Sequence, residues 1–279
     1  MSQRAPADLS DIDLLRGIAA EGERLLATSK NRQAAVGSIT DDSRWASPLP
    51  LRFEVQLATL FLGALDAYEV TSNILLNRAS QQAFNGLRFQ LETLALIRWL
   101  VQPTGASERQ ARSYRVVYGQ ITRWAKLLKE DASRGAVDSD VLDRVNAWKE
   151  RLQELATEDG LTLNVEPDRK YLFNNFVPES GYPTFSMYSE LGAHPGAIGN
   201  TLFSLQLDSR EIAYTLGEAY VDRGFWLSGG VTHLWNTCES IAPSLGWDEW
   251  LGSDARPIFV KATALMNEVL GRRRTEPPT

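Results

Sequence analysis

Asn85–Arg112 reads NGLRFQLETLALIRWLVQPTGASERQAR, a segment with helical spacing that is apolar on nearly every side and yet carries Arg88, Glu92 and Arg98. A helix that is apolar all round is a buried helix, and a charge withdrawn from water persists only beside a partner. These three residues therefore predict a polar cluster inside a helical core. Pro103 and Gly105 end the segment.

Helical spacing continues on both sides. Upstream, a helix from about Leu51 to Leu76 is joined to the segment beginning near Gln81 by a short connection, so the two form an antiparallel core hairpin over 51–103. Before it, Asp8–Ser29 places Leu14, Leu15, Ile18, Leu25 and Leu26 on one face, and a Ser- and Asp-rich loop with Trp45 follows, closed by Pro48 and Pro50. Downstream, helices are predicted over Ser107–Ser133 and Asp138–Glu158. Residues 160–200 are interrupted by Pro and Gly and read as an irregular excursion with short helices. Two further helices, Ser209–Ile241 and Asp254–Leu270, occupy the C-terminal stretch 209–270, ahead of a tail at 271–279 expected to fray. No two-residue alternation bounded by hairpin turns is present, so the expected fold is all-α: an up-and-down helical bundle, one domain over 1–279.

With 279 residues, 43% of them hydrophobic, the chain can bury a substantial core. A net charge of -6 offers no general basic surface to a phosphate backbone, and nucleic acid is not an expected partner. The lone Cys238 and the absence of a signal-peptide pattern at the N-terminus read as cytoplasmic. The longest largely apolar run, Val55–Leu65, is too short to cross a bilayer, and lengthening it brings in Asp66 and Glu69. No membrane association is expected.

Asp66, Glu69 and Asn73 form an i, i+3, i+7 stripe on the first helix of the hairpin. An antiparallel register would set Asn73 level with Arg88 and Glu69 level with Glu92, with slippage by a turn allowed. Two carboxylates in a dry site need a cation between them, and Arg88, Arg98 or Arg115 could supply it. Two readings follow. In one, the cluster is an ion network that sets helix register. In the other, Glu92 or Glu69 serves as general acid or base while Arg88 clamps an anionic group, with Arg98 and Asn73 lining the site.

The chain has two histidines. His194, in YSELGAHPGAIGN, belongs to the irregular excursion, where it could act beside Tyr188 or be a turn residue; His233, between Val231 and Leu234, reads as a core residue. With one Cys and no Glu-x-x-His pair, a transition-metal site is not expected. Asp41 and Asp42 in TDDSRW read as a turn or cap rather than a magnesium motif, and neither phosphate-cradling glycine pattern is present, so no cofactor is expected.

The run LRFQLETLALIRWLVQP followed by ERQARSYR resembles a set of uncharacterised bacterial all-helical proteins with an Arg-x-x-x-Glu, Trp-Leu-x-x-Pro, Arg-x-x-Arg pattern. Arg88, Glu92, Trp99, Leu100, Pro103, Arg109 and Arg112 occupy those positions here. YSELGAHPG is similar to a later segment of that family, although Gly192 and Ala193 alter its spacing before His194. More distantly, the pattern is similar to the nucleotide-binding helical superfamily of prokaryotes and higher eukaryotes. Its nucleolytic members use Arg, four residues, then His, and Ser189 stands at the Arg position here, so the resemblance implies a non-nucleolytic member.

Two functional expectations result. The first is a helical binding or scaffold protein that associates through its surface as a homo-oligomer. The second is a small-molecule enzyme or ligand-binding protein with a pocket between the 51–103 hairpin and the 160–200 segment.

Overall fold

The computed structural model describes residues 10–34, 52–77, 82–134, 139–163, 167–193, 207–208, 211–212 and 220–275. They are all-α apart from one antiparallel pair of two-residue strands, β1 (Leu207–Asp208) and β2 (Glu211–Ile212). The helices are α1 (Asp11–Ala34), α2 (Phe53–Asn77), α3 (Gln82–Val101), α4 (Ala106–Ser133) and α5 (Ser139–Glu158), then the short α6 (Arg169–Phe176) and α7 (Gly181–Ala193). Then come α8 (Tyr220–Leu245) and the three-residue α9 (Asp248–Trp250), which passes through a π-helical turn at Leu251–Ala255 into α10 (Arg256–Thr275).

Helix α3 is the hub. It packs against α2 in the expected antiparallel hairpin, against α8 along its length, and against α6 and α7 on a further side. This enclosure is what its all-round apolar sequence requires: Leu87, Leu91, Leu94, Ala95, Ile97 and Leu100 are all sealed from solvent. Helix α1 closes the other side of α8 together with α10. Helices α4 and α5 form a hairpin with an apolar cluster of its own around Tyr114, Val117, Leu152 and Leu155, set against the α2–α3 pair.

Local chemistry explains several of the ends. Ser10 caps α1, accepting from the Asp13 amide at 3.3 Å. Gly246, at φ 68°, ends α8 in a left-handed turn that lets the Trp247 amide reach back to the Ala242 carbonyl at 2.9 Å. The corner between α3 and α4 is held by the arginines of the Arg-x-x-Arg pattern. Arg112 donates to the Trp99 carbonyl and to Gln102 and lies over the Trp99 ring, while Arg109 donates to the Pro103 carbonyl. The motif thus satisfies backbone acceptors where α3 gives out.

Two expectations are corrected. The helix expected to begin at Ser209 starts instead at Tyr220 and follows the strand pair, which is too short to register as alternation. The last helix continues through Thr275 rather than fraying from 271, because Arg272 bridges Asp11 of α1 and Glu268. Within 160–200 the described residues form the short helices expected there, α6 being started by an Asp168 cap that accepts from the Tyr171 amide at 2.8 Å.

A close three-helix contact joins α1, α2 and α8. A methyl group at Gly22 would lie 1.7 Å from the Tyr68 hydroxyl oxygen and 3.0 Å from Val231, so this crossing requires glycine. The Tyr68 hydroxyl is sealed in and makes no hydrogen bond there. Gly22→Ala is therefore expected to lower stability by about 1–3 kcal/mol, against the roughly 1 kcal/mol gain that alanine brings to an exposed helix position. Tyr68→Phe, which removes the obstructing oxygen, should restore part of the loss in the double variant; urea unfolding of the four proteins measures the coupling.

Candidate functional site

Glu92 lies one turn after Arg88 on α3, and the Arg88 Nη2 to Glu92 Oε1 distance is 3.6 Å. The second cation at this carboxylate is Arg169, from the first turn of α6, whose Nε lies 3.2 Å from the same oxygen. Both guanidiniums flank the ring of Phe185 on α7, at 5.2 and 5.8 Å from its centroid. The Arg88 and Glu92 side chains are 24% and 22% exposed, so the pair is neither free in water nor fully enclosed. Glu92 Oε1 itself is sealed and accepts no aligned hydrogen bond, so charge rather than hydrogen bonding holds the triad.

Glu92 also lines a cavity of about 710 Å³ where α3, α4 and α6 meet. Its apolar surface comes from Leu60, Ala95, Leu96, Leu172 and Phe173, and Phe89, which is 49% exposed, lies among its walls. The polar contribution is substantial: Glu92 and Thr93 from α3, Tyr118, Gln120, Thr122 and Arg123 from α4, and Asp168 with Arg169 at the start of α6. The Asp168 carboxylate is engaged in capping α6, which fixes the backbone from which Arg169 projects.

The remaining sequence-predicted residues are placed elsewhere. Glu69 does not meet Glu92. It pairs with Lys30 of α1 at 2.6 Å on the outer side of the hairpin. Asp66 and Asn73 are exposed, and the Asn73 backbone carbonyl accepts from Asn77. The stripe therefore faces away from α3, which instead meets Tyr68 and Thr71; a methyl at Gly86 would lie 1.9 Å from the Thr71 hydroxyl oxygen. Arg98 is separate as well. It pairs with Glu179 and donates to the Phe176 carbonyl at 3.0 Å and to Ser240 at 3.2 Å, tying α3 to the α6–α7 turn and to α8.

Tyr188 is buried and does not line the cavity. Its hydroxyl lies 3.5 Å from His233 Nε2, and burial pushes the phenol up to about 12. His233 has the core position expected of it, with burial driving the imidazole down to about 4 and no partner at Nδ1. His194 and the Asp41–Asp42 pair lie outside the described residues.

Sequence reasoning missed Arg169, Arg123 and Tyr118. A cue existed for Arg169. Arg169 and Lys170 put two cations in the first turn of α6, where the helix dipole disfavours them, and such a choice calls for a nearby anion. It also missed Arg223, which is buried on α8 and donates to the Leu75 and Leu76 carbonyls that end α2. Among the described residues no helix is long and apolar enough to cross a membrane, and no group of three His, Cys, Asp or Glu could hold a metal. Comparison with protein-family models, with curated proteins and with solved structures finds no match for this chain.

The His233 environment gives a signed pH dependence. Its folded-state pKa of about 4 lies below the ordinary value of 6.5, so as pH falls through that interval the unfolded chain takes up a proton that the folded one refuses. Stability should be fully present above about pH 6.5 and decline toward pH 4 by up to about 3 kcal/mol from this group. His233→Gln should flatten the curve over that window relative to the parent, as measured by urea unfolding at pH 7, 6, 5 and 4.5.

Proposed function

We propose that this chain is a small-molecule-binding protein whose ligand occupies the cavity between α3, α4 and α6. The observation that supports this reading most is the cavity itself, about 710 Å³, with apolar walls from Leu60, Leu96, Leu172 and Phe173 and polar groups from α3, α4 and α6, Glu92 and Arg169 among them. That is the size of ordinary ligand sites. The cavity lies where the α2–α3 hairpin meets the segment beginning at Pro167, and its charged wall is fastened by the Arg88–Glu92–Arg169 triad. Binding is favoured over turnover because Glu69 and Tyr188, the other acid–base candidates in the described residues, are engaged elsewhere.

A thermal-shift screen of metabolites and nucleotides, run on the parent and on Leu96→Trp, tests the reading. The parent should gain about 5–10 °C in Tm at a ligand concentration a hundredfold above Kd. Leu96→Trp, which fills the cavity, should lose the gain. An undiminished gain in Leu96→Trp would place the ligand elsewhere.

A second reading, self-association, draws on Trp124 and Leu127, which stand 60% and 56% exposed on the outer side of α4. Large apolar side chains in such a position suit a protein contact. If that face joins two copies, sedimentation should give a dimer for the parent and a monomer for Trp124→Glu; a parent that sediments as a monomer removes the reading.

A further inference from the structure

Resting on the ligand-binding reading, we infer that the cavity takes an uncharged aromatic ligand able to donate and accept hydrogen bonds, its ring laid against Phe89 and its polar edge turned to Thr93. The charges of the wall are the first argument. The lining holds two carboxylates, Glu92 and Asp168, and two guanidiniums, Arg123 and Arg169, so its own charge is balanced. All four are already engaged. Arg169 Nε lies 3.2 Å from Glu92 Oε1, Asp168 accepts from the Tyr171 amide at 2.8 Å, and Arg123 has a partner of its own. A charged ligand group would give up its hydration and would have to draw one of these residues from its partner to replace it, which leaves another charge uncompensated. An uncharged ligand leaves the pairing intact.

The neutral polar groups of the wall are in the opposite condition. Thr93 lines the cavity and is only 2% exposed, and its hydroxyl has no hydrogen-bond partner among the described residues. Other threonines on these helices turn back to the carbonyl four residues earlier, as Thr59 does at 2.8 Å, Thr71 at 2.7 Å and Thr237 at 2.8 Å. On the α4 wall Gln120 and Thr122 are likewise without a hydrogen-bond partner among the described residues. A hydroxyl and an amide both donate and accept, and a buried one gains most from a partner that does the same.

The ring follows from Phe89, which stands one turn before Thr93 and so shares its face of α3. Phe89 is 49% exposed in the cavity wall and lies against Gly63 of α2, where a methyl would come within 3.2 Å of its Cε1. Among the described residues it has no ring partner, whereas Phe173 in the same wall is stacked on Phe185 at 4.4 Å. A flat ligand would give Phe89 that partner, and aromatic pairs gain more than their buried area alone.

Naphthamide, naphthoate, naphthylmethylamine and naphthylalanine share one ring system and are neutral, anionic, cationic and zwitterionic at neutral pH. They are titrated by calorimetry onto the parent, Thr93→Val, Phe89→Leu and Leu96→Trp. Naphthamide should bind the parent about tenfold or more tighter than each of the charged probes. Thr93→Val, which keeps the shape and removes the hydroxyl, should weaken naphthamide about fivefold. Phe89→Leu, at a half-exposed position, should weaken it about threefold or more. A charged probe binding as tightly as naphthamide, naphthamide undiminished in either variant, or no binding by any of the four would overturn the inference. None of these outcomes touches the cavity reading, which fails separately if Leu96→Trp binds a ligand from the screen as the parent does.

Discussion

The enclosure of α3 governs the rest of this structure. A helix with neighbours on nearly every side can carry ionised groups only where another element brings a counter-charge, and α3 carries three. Arg98 is answered by Glu179 and by carbonyl and hydroxyl oxygens from the α6–α7 region and α8. Arg88 and Glu92 answer each other and recruit Arg169. The short helices α6 and α7 are therefore bound by charge to the last turn of α3 and to its middle, and Phe173, Phe185 and Leu191 join the same apolar core. The cavity opens beside the second of these attachments, where α4 does not close against α6.

Much of this was readable in the residues. The all-round apolar character of Asn85–Val101 requires burial, Pro103 and Gly105 mark its end, and the hairpin with the preceding helix follows from the short connection. The pairing of Arg88 with Glu92 was also legible, since i, i+4 neighbours on a helix meet whatever the tertiary arrangement. What could not be read were contacts that depend on how helices rotate about their axes. The Asp66–Glu69–Asn73 stripe has the spacing of a buried polar seam, yet it faces outward because Lys30, 39 residues earlier, supplies the partner for Glu69. Nothing in the stripe itself separates a seam facing α3 from a face turned toward α1.

The same limit applies to the cavity. Its apolar walls use the residue types of a packed core, so Leu60, Leu96 and Leu172 look no different in sequence from Leu57, Leu94 and Leu100. Only the cations at the start of α6 departed from local preference, and such departures from local consistency are expected where a site is built. The Arg-x-x-Arg pattern after Pro103 illustrates the converse. It has the look of an anion site, but Arg109 and Arg112 are occupied by the carbonyls of the α3–α4 corner.

The buried Arg223 carries a consequence for how the chain acquires its shape. The last carbonyls of α2 wait for a guanidinium that arrives 148 residues later, on a helix separated from them by the whole middle of the sequence. That contact closes a long loop, and closure must be reached against chain entropy before the contact repays it. Arg223 thereby ties the end of α2 to α8 across most of the sequence, a contact of high sequence separation that joins the N-terminal hairpin to the C-terminal helices.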